Sequence, residues 1–252
     1  MSQRIRRLLV LGGGSEIAGS FVERCIEADL DHLVLAGRAG GSLDDAAGRL
    51  LRDHPDVRIE MAGFDAEASD RHHAALRALH DHHGPFDTVL VAFGRLGAPF
   101  TLDQDPAEAA ALIRVNFTGA VSASLAALSV LRDQGSGRLV VLSSTTTMRP
   151  RRTSPVYASA KAGLDVFLRD LQAPAAAAGV NLTIVRPGFV CGRMTEGRTP
   201  GPFATTPAEV ADDMFQAVVD GKPVVYSPHV LAPVGRVMGL LPASLWRRIA
   251  DR

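Results

Sequence analysis

Six short apolar runs recur along this chain: RRLLVLG, HLVLAG, DVRIEMAG, DTVLVAFG, GRLVVLSS and VNLTIVRPG. Each is followed by a loop and then a longer stretch with helical periodicity. Repeated strand, loop and helix units account for that alternation. Runs that are apolar at successive positions suit strands covered on both faces, so the pattern predicts a doubly wound parallel α/β sheet with helices on each side. Helices are predicted over 15–29, 43–53, 69–83, 106–132, 155–178 and 206–220. Pro106 and Pro155 stand near helix starts, where a missing N–H is not needed. A seventh strand is expected at PVVYS. With 252 residues, 46% of them hydrophobic, the chain can bury one large core but is short for two. The expected organisation is one domain over 1–228 and an apolar, arginine-bearing tail over 229–252.

Composition removes several function classes. The 27 acidic and 27 basic residues cancel, leaving no general electrostatic footprint for nucleic acid. Cys25 and Cys191 stand alone without CxxC spacing, which argues against a disulfide framework or a structural zinc site and fits a reducing cytoplasm. The amino-terminal apolar run, Leu8 to Leu11, is too short for a signal peptide. No stretch approaches the roughly 20 uninterrupted apolar residues of a membrane span. Five histidines crowd RHHAALRALHDHHG, but no pair stands at i, i+4 with an acid to complete a site, so a solvated helix face and no metal are expected.

Chemistry concentrates at two places. The first strand runs straight into Gly12, Gly13 and Gly14, a turn that lets a dinucleotide pyrophosphate meet the following helix, although any tight strand-to-helix turn can be glycine-rich. The second strand ends in Gly37 and Arg38 with no acid at its tip, which favours NADP(H) over NAD(H), since an arginine accommodates a 2′-phosphate. Asp65, after the third strand, can accept from an adenine amino group or cap the next turn. At the other place, Tyr157 and Lys161 stand four apart on a predicted helix and share a face. A nearby ammonium stabilises phenolate, so a lowered tyrosine pKa is expected. Of the 27 basic residues only Lys161 and Lys222 are lysine, and Tyr157 and Tyr226 are the only tyrosines. A compact ammonium thus stands beside the phenol in a chain that otherwise uses arginine.

The glycine turn, Asn116 in RVNFTG, Ser144 in LVVLSS, the Tyr157–Lys161 pair and Arg186–Gly188 as RPG together resemble the short-chain dehydrogenase/reductase family over nearly the whole chain. The resemblance implies a Rossmann-type fold, a nicotinamide nucleotide and a catalytic tetrad. In that tetrad Tyr157 transfers the proton, Ser144 hydrogen-bonds the substrate carbonyl, Lys161 binds nicotinamide ribose, and Asn116 helps hold a proton-relay water. It implies that the nucleotide touches Gly12, Gly14, Ser15, Glu16, Ile17, Arg38, Asp65, Ala92 and Gly94, with Pro187, Gly188 and Val190 along the nicotinamide. It also implies a homo-oligomer.

The chain departs from the family pattern at Glu16 and Ala18, where glycines are usual, at Val91-Ala92-Phe93-Gly94, and at Gly192, where threonine is usual. Longer stretches, GGGSEIA, VAFGRLG and RRTSPVYASAKAGLDVFL, are similar to a branch of the family that reduces a lipid-linked keto sugar phosphate. Arg149, Arg151 and Arg152 are candidates to hold its phosphodiester. The tail 229–252 is a candidate surface helix on anionic lipid, or a packing element against the domain or a second subunit. Two other readings stay open: a reductase of another hydrophobic or acyl ketone, and a non-catalytic nucleotide-binding scaffold.

Overall fold

The computed structural model describes residues 4–148 and 153–234. Arg149, Arg151, Arg152 and positions 235–252 of the tail lie outside the described residues. Seven strands form one sheet: β1 (Arg7–Leu11), β2 (His32–Gly37), β3 (Arg58–Gly63), β4 (Thr88–Val91), β5 (Gly137–Leu142), β6 (Val180–Pro187) and β7 (Val224–Ser227). Their order is β3-β2-β1-β4-β5-β6-β7 and every neighbouring pair is parallel. The doubly wound expectation holds. Strand order reverses between β1 and β4, which opens the crevice where such sheets take ligands.

Helices α1 (Glu16–Ile26), α2 (Ser42–Asp53) and α7 (Pro207–Val219) cover one face of the sheet. Helices α3 (His72–His83), α5 (Ala120–Gln134) and α6 (Pro155–Ala177) cover the other. Successive side chains of β1 divide between the two cores: Leu8 and Val10 into one, Leu9 and Leu11 into the other. Each fully buried leucine of this kind contributes about 1.5–3 kcal/mol. Edge strand β3 differs from the others, because its Arg58 is exposed and its other positions are at most half-buried.

Local chemistry sets the helix starts. Ser15 caps α1 by accepting from Ala18 N at 3.4 Å. Thr206 and Glu209 cap α7 reciprocally, Glu209 N donating to Thr206 Oγ1 and Thr206 N to Glu209 Oε2.

The helix expected over 106–132 is longer and interrupted. It begins as α4 (Pro106–Ile113), loosens into a π-helical stretch over Arg114–Gly119, and resumes as α5. Such stretches concentrate at functional sites, and this one contains Asn116. Gly119 brings it close to the loop after β3, where a Cβ would fall 2.1 Å from Ala66 O. Pro106–Gln134 is long and apolar enough to cross a membrane by length and composition, but half of its most apolar window is buried inside the fold. At the start of the expected tail, Leu231 is buried, and a Cβ on Gly188 would lie 2.6 Å from its Cδ1.

Candidate active site

The carboxyl ends of β1, β4, β5 and β6 converge on one crevice. Ser144 follows β5, and Tyr157 and Lys161 stand on the first two turns of α6. Ser144 Oγ accepts from Thr146 N at 3.2 Å and from Thr146 Oγ1 at 3.0 Å, in a short turn over Thr145–Thr147. With both lone pairs engaged, Ser144 can only donate in a further hydrogen bond, and the Tyr157 phenol is its partner. Thr146 therefore orients Ser144, a part that no spacing in the sequence signalled.

The structure corrects the expectation for Tyr157. Burial pushes its phenol up to about 12, and the opposing pull comes from a hydrogen bond with Ser144, not from Lys161. The ammonium of Lys161, 3% exposed, donates to Leu142 O at 2.8 Å, and burial lowers its pKa to about 8. Removal from water dominates both groups. Among the described residues Leu142 O is the only hydrogen-bond partner of Lys161, whose Nζ lies beside Gly94.

Asn116 is fully buried and clamps the loop after β4. Its Nδ2 donates to Arg95 O at 2.7 Å and to Leu112 O at 3.0 Å, while Arg95 N donates to its Oδ1 at 3.1 Å. Both of its amide hydrogens are thus spent on protein. A Cβ on Gly94 would lie 2.9 Å from Asn116 Oδ1, which explains glycine there. Beneath the site, Asp165, one turn beyond Lys161, accepts from Arg186 Nε and Nη2, each at 2.7 Å, and from Ser143 Oγ at 3.1 Å. Arg186 also donates to Tyr226. This buried network ties α6 to β5 and β6 and sets the register of Ser144 against Tyr157.

On the nucleotide side, the glycines make room for protein atoms. Added Cβ atoms would meet Phe93 N at 2.6 Å from Gly12, Leu43 Cδ1 at 2.8 Å from Gly13, and Ser42 Oγ at 2.3 Å from Gly14. Gly12 also has a φ of +97°, which disfavours any side chain. Ala92 is buried, its N donating to Leu11 O at 2.8 Å. Pro187 O accepts from Thr145 Oγ1, Gly188 N donates to Ser227 O, and Val190 bridges to Thr205. Next to the turn lies a cavity of about 460 Å³ lined by Arg38, Asp65, Arg71 and His72 among others. Asp65 Oδ1 caps the following turn by accepting from Glu67 N at 3.0 Å. A buried cation beside Gly94 and a two-arginine cavity near a glycine turn fit a phosphorylated dinucleotide.

The histidine segment is not the solvated face expected. His72 is buried, stacks on Phe64 with centroids 4.7 Å apart, and bonds Asp65 O. Only His73 and His82 are exposed. His83 meets Glu60 and His32, elements far apart in sequence, with ligand atoms within 4.8 Å of one another. Glu60 pairs with Arg58 at 2.7 Å and hydrogen-bonds His32 at 2.8 Å.

A doubly wound sheet with a glycine turn on its first strand and a tyrosine–lysine helix after its fifth is the framework of a nicotinamide-dependent oxidoreductase. The family profile described as short chain dehydrogenase matches residues 6–202, and this chain belongs to that family. It is 39% identical over 242 residues to an uncharacterized oxidoreductase of Mycobacterium tuberculosis, covering 96% of each chain. It is 36% identical over 244 residues to another from Streptomyces coelicolor, covering 97% of this chain and 96% of that one. Among solved structures, a short chain dehydrogenase of Burkholderia cenocepacia in complex with NADP superposes with a TM-score of 0.81 at 17% identity over 98% of both chains. A gluconate 5-dehydrogenase of the same organism, with NADP and tartrate, gives 0.79 at 19% identity over 92% of this chain and 98% of that one.

Proposed function

We propose that this chain is an NADP(H)-preferring carbonyl reductase, with NAD(H) as the weaker alternative, acting on the 2-keto group of a polyprenylphosphoryl pentose. In this reading it is a decaprenylphosphoryl-2-keto-ribose reductase serving cell-wall arabinan precursor synthesis. The carrying observation for the chemistry is the Ser144 hydroxyl, which accepts from Thr146 and hydrogen-bonds the Tyr157 phenol, with the buried Lys161 one turn farther along α6. A bound reduced nicotinamide supplies the hydride. Ser144 donates to the substrate carbonyl oxygen, and Tyr157 gives that oxygen its proton as negative charge develops. A phenol held at about 12 is fully protonated at neutral pH, as a proton donor must be. Lys161 would offer its ammonium to ribose hydroxyls, and the hydrogen bond from Ser144 stabilises the phenolate once the proton has left. Asn116 positions the loop carrying Gly94.

Gly12, Gly14, Ser15, Glu16 and Ile17 would line the diphosphate. Arg38 and Arg71 would take a 2′-phosphate, Asp65 the adenine, and Ala92, Gly94, Pro187, Gly188 and Val190 the nicotinamide end. The NADP held by the two Burkholderia proteins supports the same nucleotide here.

For the lipid-linked substrate the support is an apolar rim. Phe100 and Leu102 in the loop after β4, and Met194 and Phe203 after β6, are all exposed, Leu102 by 95%. Exposed apolar groups on two loops at the same end of the sheet suit a polyprenyl chain or a membrane surface. Arg149, Arg151 and Arg152, on the segment before Tyr157, are proposed for the phosphodiester, and 229–252 for membrane contact at the cytoplasmic face. A homo-oligomer is proposed through α5 and α6, where Leu125 and Val166 are exposed.

NADPH consumption by the purified protein with a polyprenylphosphoryl keto-pentose tests this reading. Tyr157→Phe should lower turnover by about 10³-fold while nucleotide binding persists; retained turnover would show the assignment of Tyr157 to be wrong. Deleting 229–252 should depress activity on the lipid-linked ketone and spare a small soluble one. Equal loss on both overturns the role of the tail, and no activity on the lipid substrate overturns the substrate class.

A further inference from the structure

Glu16 and Gly192 are 176 positions apart and meet at the mouth of the nucleotide groove. Gly192 has φ 179° and ψ −175°, an extended conformation open to any residue, so backbone freedom does not explain glycine there. Space does. A Cβ at 192 would lie 2.5 Å from Glu16 Oε2 and 3.3 Å from its Cδ. The carboxylate occupies the volume that a side chain would fill.

The next residue completes the contact. Arg193 N donates to Glu16 Oε2 at 2.7 Å, its Nη2 donates to Gly14 O at 2.8 Å, and its Nε lies 3.4 Å from Glu16 Oε1. The segment after β6 is thereby fastened to the glycine turn. Thr195 closes the short turn that presents Arg193, its Oγ1 accepting from Gly192 N at 3.2 Å. Farther along, Arg198 Nη2 donates to Gly97 O at 2.7 Å, so the same segment is held to the loop after β4.

A carboxylate on the first residue after a phosphate-binding turn poses an electrostatic problem, because it repels the anion the turn is meant to hold. We propose that Glu16, Gly192 and Arg193 form a charge-neutralising clasp on the nucleotide groove. Glu16 anchors the segment after β6, and Arg193 supplies the guanidinium that allows a diphosphate to bind beside that carboxylate. This rests on the reading of the glycine turn as a dinucleotide site, and it makes Arg193 a nucleotide-binding residue. It also links Glu16 and Gly192: the acid, held in place by Arg193, crowds position 192, and the arginine compensates the acid.

The clasp predicts strong non-additivity in binding. Calorimetric titration of the full chain with NADP⁺ and with ADP-ribose is the test, with 2′-AMP, which carries no diphosphate, as control. Arg193→Gln should weaken both diphosphate ligands by about tenfold and leave 2′-AMP unchanged. Glu16→Gln combined with Arg193→Gln should recover most of that loss, because the repelling charge has gone. Gly192→Thr should weaken binding in the parent chain, and much less beside Glu16→Gly, where its Cβ meets no carboxylate. Circular dichroism of each variant shows that it has folded. Parent-like affinity in Arg193→Gln overturns the clasp, as does a double variant no tighter than Arg193→Gln. Failure of the parent chain to bind any of the three ligands overturns the dinucleotide reading itself, and is distinct from either result.

Discussion

Arg186 and Arg193 are seven residues apart on one segment, and each meets a carboxylate across the fold, but in opposite surroundings. Arg186 and Asp165 have side chains only 11% and 6% exposed, and join through two 2.7 Å hydrogen bonds. Arg193 and Glu16 are 56% and 36% exposed, with a 3.4 Å side-chain contact and a backbone hydrogen bond. A desolvated pair becomes a structural fixture, because neither charge can be left alone in the interior. An exposed pair contributes little to stability and can exchange partners cheaply. The first therefore suits the framework under Ser144, Tyr157 and Lys161. The second suits the rim of a groove that takes a charged ligand.

Removing one partner from each pair exposes the difference most sharply. Asp165→Ala strands Arg186 in the interior and should cost about 3–5 kcal/mol in urea unfolding. Joint replacement by Asp165→Leu and Arg186→Met should recover much of that. A loss below about 1 kcal/mol for Asp165→Ala would place this pair in the same class as the exposed one.

The catalytic half should also leave a signature in pH. Lys161 titrates at about 8 in the fold against 10.5 when exposed, so between those values the unfolded chain binds more protons. Stability should therefore rise with pH across that window, by about 3 kcal/mol in total. Tyr157, raised from 10.0 to about 12, acts in the opposite sense above pH 10, where the unfolded chain loses the phenolic proton first. Urea midpoints at pH 8 and pH 10 should converge between the parent and Lys161→Met from the parent's side. Parallel shifts in the two proteins would exclude Lys161 as the source.

Effects on the nucleotide half should appear in binding before stability. Arg38→Glu should reduce affinity for NADP⁺ relative to NAD⁺ by about tenfold, about 1.4 kcal/mol, measured by calorimetry. An unchanged ratio would assign nucleotide choice elsewhere in the cavity, with Arg71 the next residue to alter. The smallest change is expected from Glu16→Gln, which should move unfolding stability by less than about 1 kcal/mol. A cost as large as that of Asp165→Ala would make the clasp part of the framework.

The features legible in the sequence were those generated locally. Continuous apolar runs specified buried parallel strands, because both faces of such strands meet a core. Proline marked helix starts, because the first N–H groups of a helix need no partner within it. The scarcity of lysine and tyrosine singled out Tyr157 and Lys161. Apolar periodicity could not reveal the π-helical stretch around Asn116, since a single altered turn leaves the buried stripe nearly intact. The histidines of α3 looked solvated for a related reason: their pattern carried no information that Phe64 and Glu60 would arrive from β3 and its loop.

By itself, then, the sequence determined the layered α/β architecture and the positions of the glycine turn and the tyrosine–lysine helix. Those depend on hydrophobic periodicity and short-range spacing. Only the tertiary structure decided the protonation of the site and the company each polar group keeps. Burial raises Tyr157 against a hydrogen bond from Ser144, Thr146 donates to the Ser144 oxygen, and Glu16 fills the space left by Gly192. Desolvation and contact across the fold depend on where distant segments come to rest, and neighbouring residues in the chain do not encode that distance.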